Sequence, residues 1–281
     1  MSAVAPAATG TNDTAGARRI AAAFAAARQA GRAAFIPYIL AGYPDAKTSY
    51  EAAVAAIDAG ADVLEVGLPY SDPLADGATL QRASSIALEA GATLDGSLRL
   101  IERIAAARPD TPTVPMGYAN QFIGGGDGRD TARRLSDAGA AGMIVPDLTP
   151  DEGAAFEGVA RDEELAVVYL VAPTTPPDRR RTIAHRSGGF LYCVSLVGVT
   201  GARTTLPSTV NRLVRDIVAE SPVPVGVGFG VSRPPHVRAL VKAGAHGVVA
   251  ASALVDALGS SGTNVDRMAQ LVRELAAATG R

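Results

Sequence analysis

A carboxylate inside an apolar run is the first feature of this sequence that could do chemistry. Glu65 lies in Asp62-Val-Leu-Glu65-Val-Gly67, a stretch otherwise suited to a buried strand. If its side chain faces a closed interior, desolvation disfavours the charged form and lifts the carboxyl above its reference value of about 4.3, so that it can donate a proton near neutral pH. The other reading of the same residue is a structural carboxylate paired with a basic side chain. Directly after it, Pro69-Tyr-Ser-Asp72-Pro-Leu-Ala-Asp76-Gly77 adds two acids, with no Lys or Arg before Arg82. Three acids within twelve residues cannot all be ion-paired locally. Asp-Pro and Asp-Gly are also turn and N-cap pairs, so one of the two loop acids is expected to have only that role. The three histidines, His185, His236 and His246, lie far from this loop in sequence, and no metal site is expected.

Two glycine-containing segments, Gly226-Val-Gly-Phe-Gly230-Val-Ser and Val248-Val-Ala-Ala251-Ser252-Ala253, each read as a strand end opening into a helix. Free N–H groups at such ends form an anion site, and in parallel barrels the last two strands often hold a phosphate there. Glycines at strand ends also serve packing and turns. Ser195-Leu-Val-Gly198-Val-Thr200-Gly201-Ala-Arg203 follows the sixth strand candidate and could be a loop that closes over substrate or a plain surface connection.

These groups need a scaffold that gathers strand ends. Short β-branched runs alternate with helical periodicity from residue 33 onward, the pattern of repeated βα units. The strand candidates are 33–40, 62–67, 113–118, 142–147, 166–172, 190–195, 224–230 and 247–252, which makes eight. Helices are expected near 46–59, 79–106, 128–139, 151–162, 177–187, 207–219, 233–243 and 262–279, the second of these breaking at Gly91. Three helix ends repeat one theme, Asp58-Ala-Gly-Ala-Asp62, Asp137-Ala-Gly-Ala-Ala141 and Lys242-Ala-Gly-Ala-His246, each a glycine cap before a strand. Eight strand and helix pairs fit an α/β fold of the (β/α)8 TIM barrel kind. A further helix over 18–31, with Ile20, Phe24 and Ala27 on one face, is expected to plug the barrel's N-terminal mouth. Residues 1–16 carry almost no large apolar side chains and are expected to be a flexible tail, with 17–281 a single barrel domain.

The 281 residues carry 26 Lys and Arg against 28 Asp and Glu, a net charge of −2 that offers no field for nucleic acid or an anionic membrane. A single cysteine, Cys193, the lack of an 18-residue apolar run and the lack of a leader pattern point to the cytoplasm.

In order and spacing, Glu65-Val-Gly-Leu-Pro-Tyr-Ser-Asp-Pro-Leu-Ala-Asp76-Gly, Val199-Thr-Gly201, Gly228-Phe-Gly230 and Ser252-Ala resemble the tryptophan synthase alpha family. Phe35-Ile-Pro-Tyr38, Gly42-Tyr-Pro-Asp45, Tyr118-Ala-Asn120, Val145-Pro-Asp147 and Tyr192 extend the resemblance over roughly 18–258. The resemblance implies retro-aldol cleavage of indole-3-glycerol phosphate to indole and glyceraldehyde 3-phosphate. It implies Glu65 as general acid and base, and Asp76 as the acid that hydrogen-bonds the indole N–H. Tyr38 and Met116 would pack on the indole, Tyr192 would line the pocket near the substrate hydroxyls, and Thr200 would help position the Asp76 loop. Phosphate would be held by N–H groups of Gly201, Gly230, Ala251 and Ser252 and by the Ser252 hydroxyl. No cofactor is implied in this chain, pyridoxal phosphate belonging to a beta subunit with which it would form an α2β2 heterotetramer. Where Ala251 stands the family commonly has Gly, and 117–127 lacks its Tyr-Asn-Pro run in a region that faces the beta subunit. A stand-alone lyase and a catalytically silent scaffolding barrel are the alternative readings.

Overall fold

A computed structural model of the chain describes residues 13–124, 126–194, 208–261 and 264–280. Among them are nine parallel strands: β1 (Ala34–Leu40), β2 (Leu64–Gly67), β3 (Thr113–Met116), β4 (Gly142–Ile144), β5 (Ala166–Val168), β6 (Leu170–Val171), β7 (Leu191–Val194), β8 (Val225–Gly228) and β9 (Gly247–Ala250). Their order is β5-β4-β3-β2-β1-β9-β8-β7-β6. The two ends of that order, β5 and β6, are pieces of one strand interrupted at Tyr169, so the sheet closes through it into the expected eight-stranded barrel. The interruption has a local cause. Tyr169 N donates to Ser187 Oγ at 3.0 Å instead of to a neighbouring strand, and its carbonyl accepts from Tyr192 N at 3.0 Å. Its buried hydroxyl donates to Glu157 at 2.6 Å, and Arg186 holds that carboxylate at 2.8 Å, which anchors the residue in the helical shell.

The shell is made of α1 (Ala15–Gln29), α2 (Ala46–Asp58), α3 (Ala78–Glu89), α4 (Leu94–Ala107), α5 (Ala119–Ile123), α6 (Arg129–Asp137), α7 (Pro150–Asp162), α8 (Pro177–Arg186), α9 (Ser208–Glu220), α10 (Pro234–Lys242), α11 (Ser252–Leu258) and α12 (Val265–Ala277). The break at Gly91 separates α3 from α4, its φ of +87° reversing the chain as only glycine does readily. Gly60, Gly139 and Gly244, the glycines of the repeated helix ends, also have positive φ of 114°, 85° and 102°, so the cap reading of that motif holds. Two short helices that periodicity did not show, α5 and α11, are too brief to display a period.

Side chains at alternate positions point inward, and they fill the N-terminal half of the barrel with a dry core. Ala34, Ile36, Val63, Val114, Ile144, Val168, Phe190 and Val249 are buried together with Ile20, Phe24 and Ala27 of α1. The Phe24 and Phe190 rings lie 5.4 Å apart. Glycine makes the room: a Cβ on Gly247 would sit 2.7 Å from the Phe24 ring, and one on Gly226 would sit 2.9 Å from Phe190. The plug therefore forms as expected, but α1 begins at Ala15 instead of 18, because the Thr14 hydroxyl accepts the Ala17 N–H at 3.1 Å and caps it. Phe24→Ala is expected to lower stability by about 3–5 kcal/mol, seen as a lower urea midpoint at unchanged slope. A loss below about 1 kcal/mol would mean that the helix is not part of the barrel core.

Candidate active site

With its N-terminal half packed solid, the barrel keeps room for chemistry only at the C-terminal ends of its strands. Glu65 lies on β2, two residues before its C-terminal Gly67, and is 1% exposed. Its register partners are Tyr38 on β1 and Val114 on β3. Its Oε2 has no hydrogen-bond partner, and no basic side chain among the described residues offsets its burial. The structural ion-pair reading of Glu65 is thereby excluded. Burial, with the Asp76 carboxylate as the lesser cause, pushes its carboxyl up to about 8, so it is neutral at pH 7.

Asp76 reaches the same space from the loop between β2 and α3. It is half-buried, and desolvation pushes its carboxyl up to about 6 while a hydrogen bond with Tyr118 pulls the other way. At neutral pH it is the charged member of the pair. Asp72, by contrast, is exposed and accepts the Ser71 hydroxyl at 2.6 Å, so it is the turn former among the two loop acids. The start of this loop is fixed to α3 by Ser84, whose Oγ accepts Tyr70 N at 2.8 Å and donates to Tyr70 O at 2.9 Å.

Tyr38 and Tyr192 are buried, and burial first, then the Asp76 and Glu65 carboxylates, raise both phenols well above their usual value. Both therefore remain neutral donors. A Cβ at Gly67 would lie 1.9 Å from the Tyr38 hydroxyl, and one at Gly228 would lie 3.0 Å from that of Tyr192. These glycines are what lets the two phenols enter the mouth of the barrel. Met116, half-buried at the end of β3 and the register partner of Gly67, supplies the apolar wall on the third side.

The neighbouring sector beyond β1 is made by β9 and β8, which pair directly through Gly226↔Gly247 and Val227↔Val248. Gly230, exposed with φ of +59°, and Ala251 and Ser252 at the start of α11 therefore share one stretch of rim. No side chain caps α11, whereas α10 begins with Pro234, which has no N–H to offer. The glycine run itself divides: Gly226 and Gly228 make space for aromatic rings, and only Gly230 is left at the surface.

Of the residues singled out by sequence, the structure thus brings Tyr38, Glu65, Asp76, Met116 and Tyr192 together at the C-terminal end of the barrel. It places Gly230, Ala251 and Ser252 on the rim of that end, with β1 between the strand of Glu65 and β9. Thr200 and Gly201, and the loop reading of 195–203, lie outside the described residues. Tyr118, noted in the sequence only as part of the family resemblance, has no role legible there, because its proximity to Asp76 arises through neighbouring strand ends and no local spacing reveals it.

The sequence model of the family described as tryptophan synthase alpha chain matches residues 24–280. The tryptophan synthase alpha chain of Roseiflexus castenholzii is 44% identical over 259 residues, covering 92% of this chain and 98% of that one. That of Methanothermobacter thermautotrophicus is 40% identical over 252 residues, covering 89% and 92%. Among solved structures, a chain of Mycobacterium tuberculosis tryptophan synthase is similar with a TM-score of 0.86 and 38% identity, over 94% of this chain and 98% of that one. A chain of the Pyrococcus furiosus tryptophan synthase complex is similar with a TM-score of 0.80 and 34% identity, over 87% and 98%.

Burial of Glu65 carries a thermodynamic signature. Its carboxyl ionises near 4.3 in an unfolded chain but only at about 8 in the fold. A raised folded value means that its favourable contribution is complete below the unfolded value and is lost as the pH climbs through the folded one. Glu65→Gln, neutral at every pH, is expected to melt close to the parent near about pH 4 and at increasingly higher temperature than the parent toward about pH 9. A difference in melting temperature that stays constant with pH would contradict the assignment.

Proposed function

The chain belongs to the tryptophan synthase alpha chain family, and from that premise we propose that it cleaves indole-3-glycerol phosphate to indole and D-glyceraldehyde 3-phosphate by a retro-aldol reaction. The observation that carries this reading is a neutral buried carboxyl, Glu65, beside a second acid, Asp76, that is charged at neutral pH. Separated proton affinities let two carboxyls take opposite roles in one site.

In this reading the neutral Glu65 donates its proton to C3 of the indole ring, and the Asp76 carboxylate accepts the ring N–H and offsets the positive charge that results. The Glu65 carboxylate then removes the proton of the hydroxyl on the carbon attached to C3. The freed oxygen pair becomes the aldehyde carbonyl, and the electrons of the breaking carbon–carbon bond return to the ring. Glu65 ends as it began, protonated, so no cofactor is required in this chain. Tyr38 and Met116 would flank the indole, and Tyr192, a neutral phenol, would hydrogen-bond the glycerol hydroxyls. The N–H groups of Gly230, Ala251 and Ser252, with the Ser252 hydroxyl, would hold the phosphate, and a backbone donor at Ala251 serves as well as one at glycine. Thr200 and Gly201 are proposed to complete the site from the loop after β7.

The indole is proposed to pass to a pyridoxal phosphate-dependent beta subunit in an α2β2 heterotetramer, in the cytoplasm, where Cys193 stays reduced. Support for the partner is that the similar Pyrococcus furiosus chain comes from a tryptophan synthase complex. No helix among the described residues is long and apolar enough to cross a membrane.

The test is indole release from indole-3-glycerol phosphate by the purified chain, with and without a cognate beta subunit. Slow release that rises with the partner is expected, with Glu65→Gln and Asp76→Asn each slower by at least about 10²–10⁴-fold, the usual contribution of a positioned acid or base. Absence of indole under both conditions would refute the proposal.

A further inference from the structure

The turn that follows β3 grips the loop that carries Asp76 at both ends. At the far end, the Tyr118 hydroxyl accepts the Ala75 N–H at 2.9 Å, beside Asp76, whose carboxyl it pulls back down against desolvation. At the near end, Gln121 Nε2 donates to Pro69 O at 2.9 Å, while its Oε1 accepts Tyr118 N at 3.0 Å. Between the two, the Tyr118 and Tyr70 rings stack with centroids 5.0 Å apart and 22° between planes. The turn is itself held from the next strand end, where Asp147 Oδ1 accepts Ala119 N at 2.8 Å. A Cβ at Gly117 would lie 2.9 Å from Gln121 Oε1, so the glycine before Tyr118 is needed for the turn to close.

A phenol has one proton to give. The Tyr118 oxygen already accepts from Ala75, which leaves its O–H to donate, and a neighbouring carboxylate accepts such a bond more strongly than the neutral acid. Among the described residues, the other titratable groups that face Asp76 are Glu65 on β2, Tyr38 on β1 and Tyr192 on β7, and none of them is a cation. Asp147, close enough to act on Tyr118, is a further acid. Among the described residues, Tyr118 is therefore the group that opposes the burial of Asp76.

We propose that Tyr118 is a positioning residue for the lyase reaction, clamping the loop that carries Asp76 through its hydroxyl and its stacked ring. This inference rests on the function proposed above for its catalytic meaning, but its physical content can be read without activity. Tyr118→Phe keeps the ring and its stack on Tyr70 and removes only the hydroxyl. Carbon-13 NMR titration of the side-chain carboxyls in the full chain, with the Asp76 signal assigned by its loss in Asp76→Asn, is expected to show the Asp76 midpoint moving up by roughly one pH unit in Tyr118→Phe. With a beta subunit present, the acidic limb of the kcat/KM profile for indole release is expected to shift upward with it, while the alkaline limb set by Glu65 does not rise. An unmoved Asp76 midpoint would overturn the proposal, whatever happens to the rate. A moved midpoint with no indole release from the parent chain would leave Tyr118 in its role toward Asp76 and count against the lyase reading instead. A rate reduced equally at every pH would reduce Tyr118 to structural support.

Discussion

The desolvation of one carboxyl is the constraint on which the rest of the structure depends. A glutamate 1% exposed with an oxygen left without a hydrogen bond is tolerated only as the neutral acid. Burial keeps the Glu65 carboxyl protonated at pH 7, the state that the proposed proton transfer requires. It also demands that neighbouring groups be uncharged or held apart, as the two phenols of Tyr38 and Tyr192 and the loop-borne Asp76 are.

A closed barrel supplies that environment because its interior is reached only from its two ends. Helix α1 shuts one of them, with Phe24 against Phe190 and glycines at 226 and 247 clearing space for the rings. The other end is left to the strand termini, where Gly67 and Gly228 admit the Tyr38 and Tyr192 hydroxyls. The same residue type thus packs the plug and opens the site, and which it does depends on its height along the strand. Loops are where the second acid sits, and there position has to be enforced by hydrogen bonds from the neighbouring turn, since no ladder fixes it.

Much of this was legible in the sequence because it repeats. Eight apolar runs alternating with helical periods, and three copies of a glycine-capped helix end, specify parallel strands and their count. Glu65 stood out because an acid in an apolar strand is costly unless it is used. What escaped is what depends on contacts between distant segments. The fifth strand breaks because Tyr169 N finds Ser187 and its hydroxyl finds Glu157, eighteen and twelve residues away. The helix start at Ala15 turned on a single threonine cap, and the short helices α5 and α11 have too few residues to show a period. The role of Tyr118 escaped because Asp76 lies on another strand's loop, and the segment holding the glycines at 226 and 228 read first as a phosphate site until the rings beside them were placed.

The central claim is that Glu65 is a neutral acid at the pH at which the chain works. Infrared difference spectroscopy of the full chain against Glu65→Gln, followed through a pH titration, measures it directly. A protonated-carboxyl band assigned to Glu65 should be present at pH 7 and disappear with a midpoint near about 8. A band already lost by about pH 5, the range of an ordinary carboxyl, would contradict the account.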